Sequence, residues 1–182
     1  GQIGMALAGI MRGFGCQILA FDPSPDPALE RLGGTYVEMD ELLAQSDIVS
    51  LHCPLTPRTH HIIDAAAISR MKPGVMLINT SRGAVIDTQA VTAGLKCGQI
   101  GYLGLDVYEE EGDLFFEDLS DQMIQDDQFA RLLTFPNVLI TGHQAFFTQQ
   151  AMSAIAAATI GNISMFEETG RPAHGVSGER LA

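Results

Sequence analysis

The chain has 182 residues, enough for one α/β domain of ordinary size, and its 46% hydrophobic and 18% charged content fits a globular chain and argues against disorder. Ten bases against 22 acids give a net charge of −12, which opposes nucleic acid and anionic membranes at long range but leaves a local cation able to hold a small anion. No apolar run approaches the roughly 20 residues that span a bilayer, no basic n-region with a cleavage site opens the chain, and Cys16, Cys53 and Cys97 lack disulfide or metal-ligand spacing, so a cytoplasmic chain without disulfide or metal is expected.

In chain order, apolar Ile3, Leu7, Ile10, Met11 and Phe14 fall at helical spacing, with Gly13 and Gly15 as the stop signal. QILAFD (17–22) reads as a strand, the proline-rich DPSPDP as a turn, and TYVE (35–38) as a further short strand. MDELLAQS is helical, DIVSLHC (47–53) is a buried strand, and PLTPRTHHIID is a loop leading into helical AAAISRM. KPG turns the chain into strand VMLINT, DTQAVTAGLKCG forms a helix, and IGYLGLDV is the next strand. The acidic stretch from Glu109 to Asp127 has no Lys or Arg and reads as a solvated loop. Helical QFARLL, strand NVLITG, a long helix from Gln149 and a turn-rich tail complete the pattern. Such alternation implies a doubly wound parallel sheet with right-handed crossovers and helices on both faces.

The first four residues, Gly1, Gln2, Ile3 and Gly4, keep only G-x-x-G of the G-x-G-x-x-G turn that opens a dinucleotide-binding βαβ unit. The expectation is a Rossmann-type sheet lacking its first strand, with the chain starting inside the phosphate loop. In the order 3-2-1-4-5-6 that strand is central, so its neighbours would lose ladder partners and the chain alone is expected to be unstable and inactive. The amides of Gln2 and Ile3 would face a pyrophosphate at a helix N-terminus. Asp22 stands 18 residues after Gly4, near the offset of the acid that binds adenosine ribose hydroxyls, which favours NAD over NADP. Its plainer reading is a turn residue before Pro23.

Three apolar runs also end in chemistry: VMLINTSRG delivers Arg82, IGYLGLDVYEEE delivers Asp106 and Glu111, and NVLITGHQAF delivers His143. Open α/β sheets bind ligands at the carboxyl ends of their strands. A guanidinium there can grip a 2-keto acid through two parallel hydrogen bonds, and an imidazole backed by a carboxylate can exchange a proton with its carbonyl.

NTSRGAVID, GLDVYEEE and TGHQAF resemble the three signature segments of the D-2-hydroxyacid dehydrogenases, and LHCPLTPRTHHIID with KPGVMLINTSRG is similar to the same family. DLFFEDLS and MIQDD resemble its fermentative D-lactate dehydrogenase branch, and the likeness runs from Gly1 to about Glu168. The resemblance implies that Arg82 grips the substrate, His143 is the acid/base, and Glu111, five positions after Asp106, orients the imidazole and favours its protonated form. It further implies that Gln2, Ile3, Asp22, Cys53, Pro54, Thr59, Thr80, Ser81 and Asp106 line the NAD site, with Asp106 near the nicotinamide. His52, His60, His61 and His174 show no such partners in the sequence and receive no chemistry.

The implied reaction is pyruvate to D-lactate with NADH. A larger 2-keto acid is the nearest alternative, and an NAD-sensing corepressor without catalysis is the alternative from another class. The resemblance also implies a homodimer, an NAD-binding domain at 1–147, a helix at 148–169 belonging to a second domain absent from this chain, and a tail at 170–182.

Overall fold

A computed structural model describes residues 1–115 and 123–175. They fall into two compact units, Gly1–His143 and Gln144–Ala182.

The first unit opens on helix α1 (Gln2–Gly13), where the apolar spacing predicts it, and Gly15 follows at φ 83°. Strand β1 (Leu19–Ala20) pairs in parallel with β2 (Thr35–Tyr36). Between them the chain forms α2 (Pro27–Arg31), which corrects the reading of this region as turn followed by strand. Its proline is the first helical residue, where no amide hydrogen is needed, and Asp26 caps it by accepting from the Ala28 N–H at 2.8 Å. Proline here starts a helix instead of breaking one.

Helix α3 (Met39–Gln45) and strand β3 (Ile48–Leu51) follow, then α4 (Ala65–Arg70), β4 (Val75–Asn79), a 3₁₀ turn (Gly83–Val85) and α5 (Thr88–Cys97). Asp64 and Asp87 cap α4 and α5 by accepting from the Ala67 and Ala90 amides at 2.7 and 3.0 Å. Strand β5 (Ile100–Leu105), helices α6 (Gly112–Phe115) and α7 (Asp127–Leu132) and strand β6 (Val138–Ile140) complete the unit.

Strands β3-β4-β5-β6 form one parallel sheet in that order, so the parallel α/β alternation expected from the sequence is present. The ladders are shorter than the apolar runs: 17–22 contributes two paired residues and 47–53 contributes four. Hydrogen-bonded pairing sets strand length, and apolar character continues into the loops beyond it. Among the described residues, β1 and β3 are each paired on one side only.

Burial on alternate positions locks β4 in place, with Val75, Leu77 and Asn79 nearly or fully inaccessible. A fully buried Leu such as Leu77 contributes about 1.5–3 kcal/mol. The β4–β5 register slips after Val75, and the slip is at Gly101, where any Cβ would come within 2.5 Å of the Gly74 carbonyl oxygen. Leu43, Ile63, Val85, Val91, Ile100 and Leu132 fill the space between helices and sheet.

The acidic stretch departs from the expected solvated loop. Leu114, Phe115 and Ile124 pack against the core, and the Phe129 ring meets Tyr108 and Phe115 at 5.0 and 5.6 Å between centroids. Residues 116–122, including most of DLFFEDLS, lie outside the described residues.

In the second unit, α8 (Gln149–Thr169) starts at a Thr148 cap, whose hydroxyl accepts from the Ala151 N–H at 3.2 Å, and ends at Gly170 in left-handed backbone. None of its residues is buried. No helix among the described residues is long and apolar enough to cross a membrane.

Candidate active site

The site is built from the segments that leave β3, β4, β5 and β6 at their carboxyl ends. Asn79, the last residue of β4, is fully buried and organises the turn that presents Arg82. Its Nδ2 donates to the Arg82 carbonyl at 2.9 Å, while its Oδ1 accepts from the Ser81 amide at 3.0 Å and from the Ser81 hydroxyl at 2.9 Å. Every polar atom of this buried amide side chain is therefore engaged in shaping one turn. Sequence reasoning missed it, although a polar residue closing the apolar run VMLIN was the available signal. The Arg82 guanidinium is exposed, donates from Nη1 to the Ser81 carbonyl at 2.7 Å, and pairs with no carboxylate among the described residues.

Asp106 is 5% exposed and links three strand ends. Its amide donates to the Asn79 carbonyl at 3.0 Å, its carbonyl accepts from the His143 amide at 2.7 Å, and its carboxylate accepts from the Thr141 hydroxyl. These bonds bring the exits of β4, β5 and β6 together. Five residues on, Glu111 Oε1 meets His143 Nδ1 at 2.9 Å, and Glu111 Oε2 accepts the Tyr108 amide at 3.1 Å. Both partners are partly exposed, at 27% for the His143 side chain and 19% for Glu111. His143 adopts φ 52°, an uncommon value outside glycine, so the backbone itself sets the direction of the ring.

Gly83 joins the Arg82 turn to the Glu111 loop. A Cβ there would lie 2.1 Å from the Tyr108 carbonyl carbon and oxygen and 2.4 Å from the Glu109 nitrogen. Only glycine allows the residue after Arg82 to rest on that peptide.

Each expected cofactor residue can be placed. Gln2, Ile3 and Gly4 form the first turn of α1; Gly1 precedes it, accepts the Met5 amide through its carbonyl at 3.0 Å, and has its nitrogen 3.7 Å from an Asp22 carboxylate oxygen. The early amides of such a helix have no intrahelical acceptor, which suits an anion. A Cβ at Gly4 would be 3.6 Å from the His52 ring, so this turn packs on the exit of β3, next to Cys53 and Pro54. Burial holds the His52 imidazole below its usual range. Burial raises the Cys53 thiol above its usual range, and Asp22 adds to the effect against an opposing backbone hydrogen bond. Thr59 donates to the Pro54 carbonyl at 2.6 Å and meets Thr56, which fixes its own loop. Thr80 is exposed, and Ser81 is tied to Asn79.

Asp22 accepts the Ser24 amide at 2.8 Å, so it does shape the turn, and it also lines a cavity of ≈ 360 Å³ with Phe21, Tyr36, Val37 and Glu38. The turn reading of this residue holds, and its carboxylate also faces a cavity. Carboxylates on that wall disfavour a ligand carrying an extra phosphate. The open helix terminus and this cavity together fit a dinucleotide with unphosphorylated adenosine ribose.

The expectation that His61 lacks a carboxylate partner is overturned. Its Nε2 lies 2.6 Å from Glu109 Oε1, and Glu109 Oε2 accepts the Thr88 amide at 2.9 Å. His61 also has positive φ, at 50°, and its ring stacks on His60 with centroids 4.0 Å apart. The partners are 48 residues apart, and no local pattern joins them.

Residues 1–145 match the NAD-binding domain of the D-isomer specific 2-hydroxyacid dehydrogenases. The chain belongs to this family. It is 53% identical over 168 residues to the D-lactate dehydrogenase of Escherichia coli strain K12, covering 92% of this chain and 51% of that protein. The structure identified as the pyruvate reductase of Chlamydomonas reinhardtii shares 49% identity at a TM-score of 0.92, over 96% of this chain and 53% of that one. D-lactate dehydrogenase from Aquifex aeolicus, solved with NAD and lactic acid, shares 35% identity at a TM-score of 0.86, over 97% of this chain and 56% of that one. The chain spans about half the length of these relatives. The fold is Rossmann-type, and the cofactor of the family domain is NAD.

Proposed function

We propose that the complete protein is an NAD-dependent D-2-hydroxyacid dehydrogenase interconverting pyruvate and D-lactate. The observation that carries this reading is the 2.9 Å pair of His143 Nδ1 and Glu111 Oε1, held beside an Arg82 turn that packs on the same loop. NADH supplies the hydride when bound. Arg82 receives the substrate carboxylate through the paired donors of its guanidinium, which fixes the keto group in one orientation. Glu111 holds Nδ1, so Nε2 of His143 is assigned the proton that passes to the developing alkoxide during reduction and returns during oxidation. Gln2, Ile3 and Gly4 hold the pyrophosphate with their amides, and Asp22 takes the ribose hydroxyls. Cys53, Pro54, Thr59, Thr80, Ser81 and Asp106 border the same cofactor.

Residues 1–147 act as the NAD-binding domain, and the helix from 148 to 169 belongs to a second, substrate-closing domain. The 182-residue chain expressed alone is expected to be unstable and inactive, because among the described residues β1 and β3 each pair on one side and α8 leaves Ile155, Ile160, Ile163 and Phe166 exposed. A homodimer and a cytoplasmic location complete the reading.

The test is steady-state oxidation of NADH by the complete protein with pyruvate and with a branched 2-keto acid, followed by chiral analysis of the product. Preferential turnover of pyruvate to the D-isomer supports the assignment. Preference for the branched acid moves it to a larger substrate, and binding of NADH without turnover of either acid refutes the enzymatic reading.

A further inference from the structure

Among the described residues, the acidic loop after β5 carries two carboxylates that reach histidines, Glu109 and Glu111, and the assigned chemistry uses only Glu111. Glu111 meets His143, whereas Glu109 meets His61 at 2.6 Å with one oxygen and the Thr88 amide at 2.9 Å with the other. His61 lies on the segment after β3, and Thr88 begins α5 directly after the Arg82 turn. A single side chain thus ties the exits of three neighbouring strands. The His61 end is itself fixed, because its amide donates to the Ala84 carbonyl at 2.8 Å and Ile63 bridges to Ile86.

The Glu109 nitrogen belongs to the peptide on which Gly83 rests, and the other residue of that peptide, Tyr108, donates its amide to Glu111 Oε2 at 3.1 Å. Any rotation of this peptide moves the Arg82 turn on one side and the Glu111 carboxylate on the other. With its side chain 21% exposed, Glu109 is partly withdrawn from water, where charge-assisted bonds are stronger than on an open surface.

We propose that Glu109, through His61 and the Thr88 amide, is a positioning residue that sets the loop from which Glu111 orients His143. The proposal rests on the dehydrogenase reading above. Glu109 touches neither substrate nor cofactor in this assignment and acts through Glu111.

The test uses the complete protein and compares wild type, Glu109→Ala, Glu109→Gln, His61→Gln, Glu111→Gln and the double variant Glu109→Ala with Glu111→Gln. Glu109→Ala is expected to lower kcat by about 10- to 100-fold, by analogy with removal of the outer partner that orients a metal-ligating side chain, with the KM for NADH close to wild type. Glu109→Gln keeps an oxygen for the Thr88 amide and a polar contact to His61, so it is expected to recover most of that loss. Adding Glu109→Ala to Glu111→Gln is expected to cost less than about twofold more, because residues acting through one interaction are not additive. A scaffold role alone would lower the melting temperature and multiply with the Glu111 loss.

Unchanged kcat in Glu109→Ala, or a fully additive double variant, overturns the proposal and leaves the dehydrogenase reading standing. If Glu109→Ala does not fold, Glu109→Gln and His61→Gln decide: a smaller loss in the first than in the second supports the proposal, and wild-type kcat in both overturns it. A wild-type protein inactive on every 2-keto acid overturns both readings together.

Discussion

Replacing Gly83 by alanine adds a single methyl group at the junction of the Arg82 turn and the Glu111 loop. That methyl would lie 2.1 Å from the carbonyl carbon and oxygen of Tyr108 and 2.4 Å from the Glu109 nitrogen. Non-bonded carbons settle at about 3.5–4.0 Å, so the two segments must separate by more than ~1 Å. The obstacle is backbone on both sides, and no flexible side chain can swing clear. Overpacking of this kind costs about 1–3 kcal/mol, and a misplacement of ~1 Å in a catalytic constellation can cost about 100-fold in rate. The activity loss should therefore exceed what the stability loss alone would give. In the complete protein, NADH oxidation with pyruvate is expected to fall by about 100-fold while NADH binding, followed by fluorescence titration, stays near wild type. A Gly83→Ala enzyme with wild-type kcat/KM and an unshifted melting temperature would refute the contact and the coupling inferred from it.

Arg82→Lys retains the charge but loses the planar fork, and kcat/KM for pyruvate is expected to drop by about 100-fold or more, the scale of removing one aligned donor; near-normal kinetics would remove the substrate-gripping role. Asn79→Ala leaves the Arg82 carbonyl and Ser81 amide without their buried partner, at a cost of about 1–3 kcal/mol, seen as a lower melting temperature together with reduced turnover. Because burial raises the Cys53 thiol, its alkylation at mildly alkaline pH is expected to lag that of exposed Cys97 and to accelerate as pH rises further. Peptide mapping after timed iodoacetamide treatment measures both sites, and equal rates would contradict the partly buried setting of Cys53.

Much of the architecture was legible because apolar runs and their terminators are local signals. VMLINTSRG predicts a buried strand ending before Arg82, and β4 ends at Asn79. Caps were less legible: Asp26-Pro27 has the composition of a turn, and its role as a helix start depends on the Asp26 carboxylate reaching the Ala28 amide. The acidic stretch shows how charge count can mislead, since Leu114, Phe115 and Ile124 use the apolar positions between the acids to reach the core. His61 with Glu109, and Gly83 with Tyr108, are contacts between distant segments. Their existence depends on strand order and register, which no pattern within either segment encodes.

The backbone bonds around Asp106 have a consequence for motion. Its amide is donated to the end of β4, and the His143 amide is donated to its carbonyl, so both protons are held by the sheet margin. Such protons exchange with solvent only when the surrounding cooperative unit opens. In native-state deuterium labelling, these two amides should therefore follow the slow core of β4 and β5, so that isotope uptake at His143 would act as a clock for sheet opening.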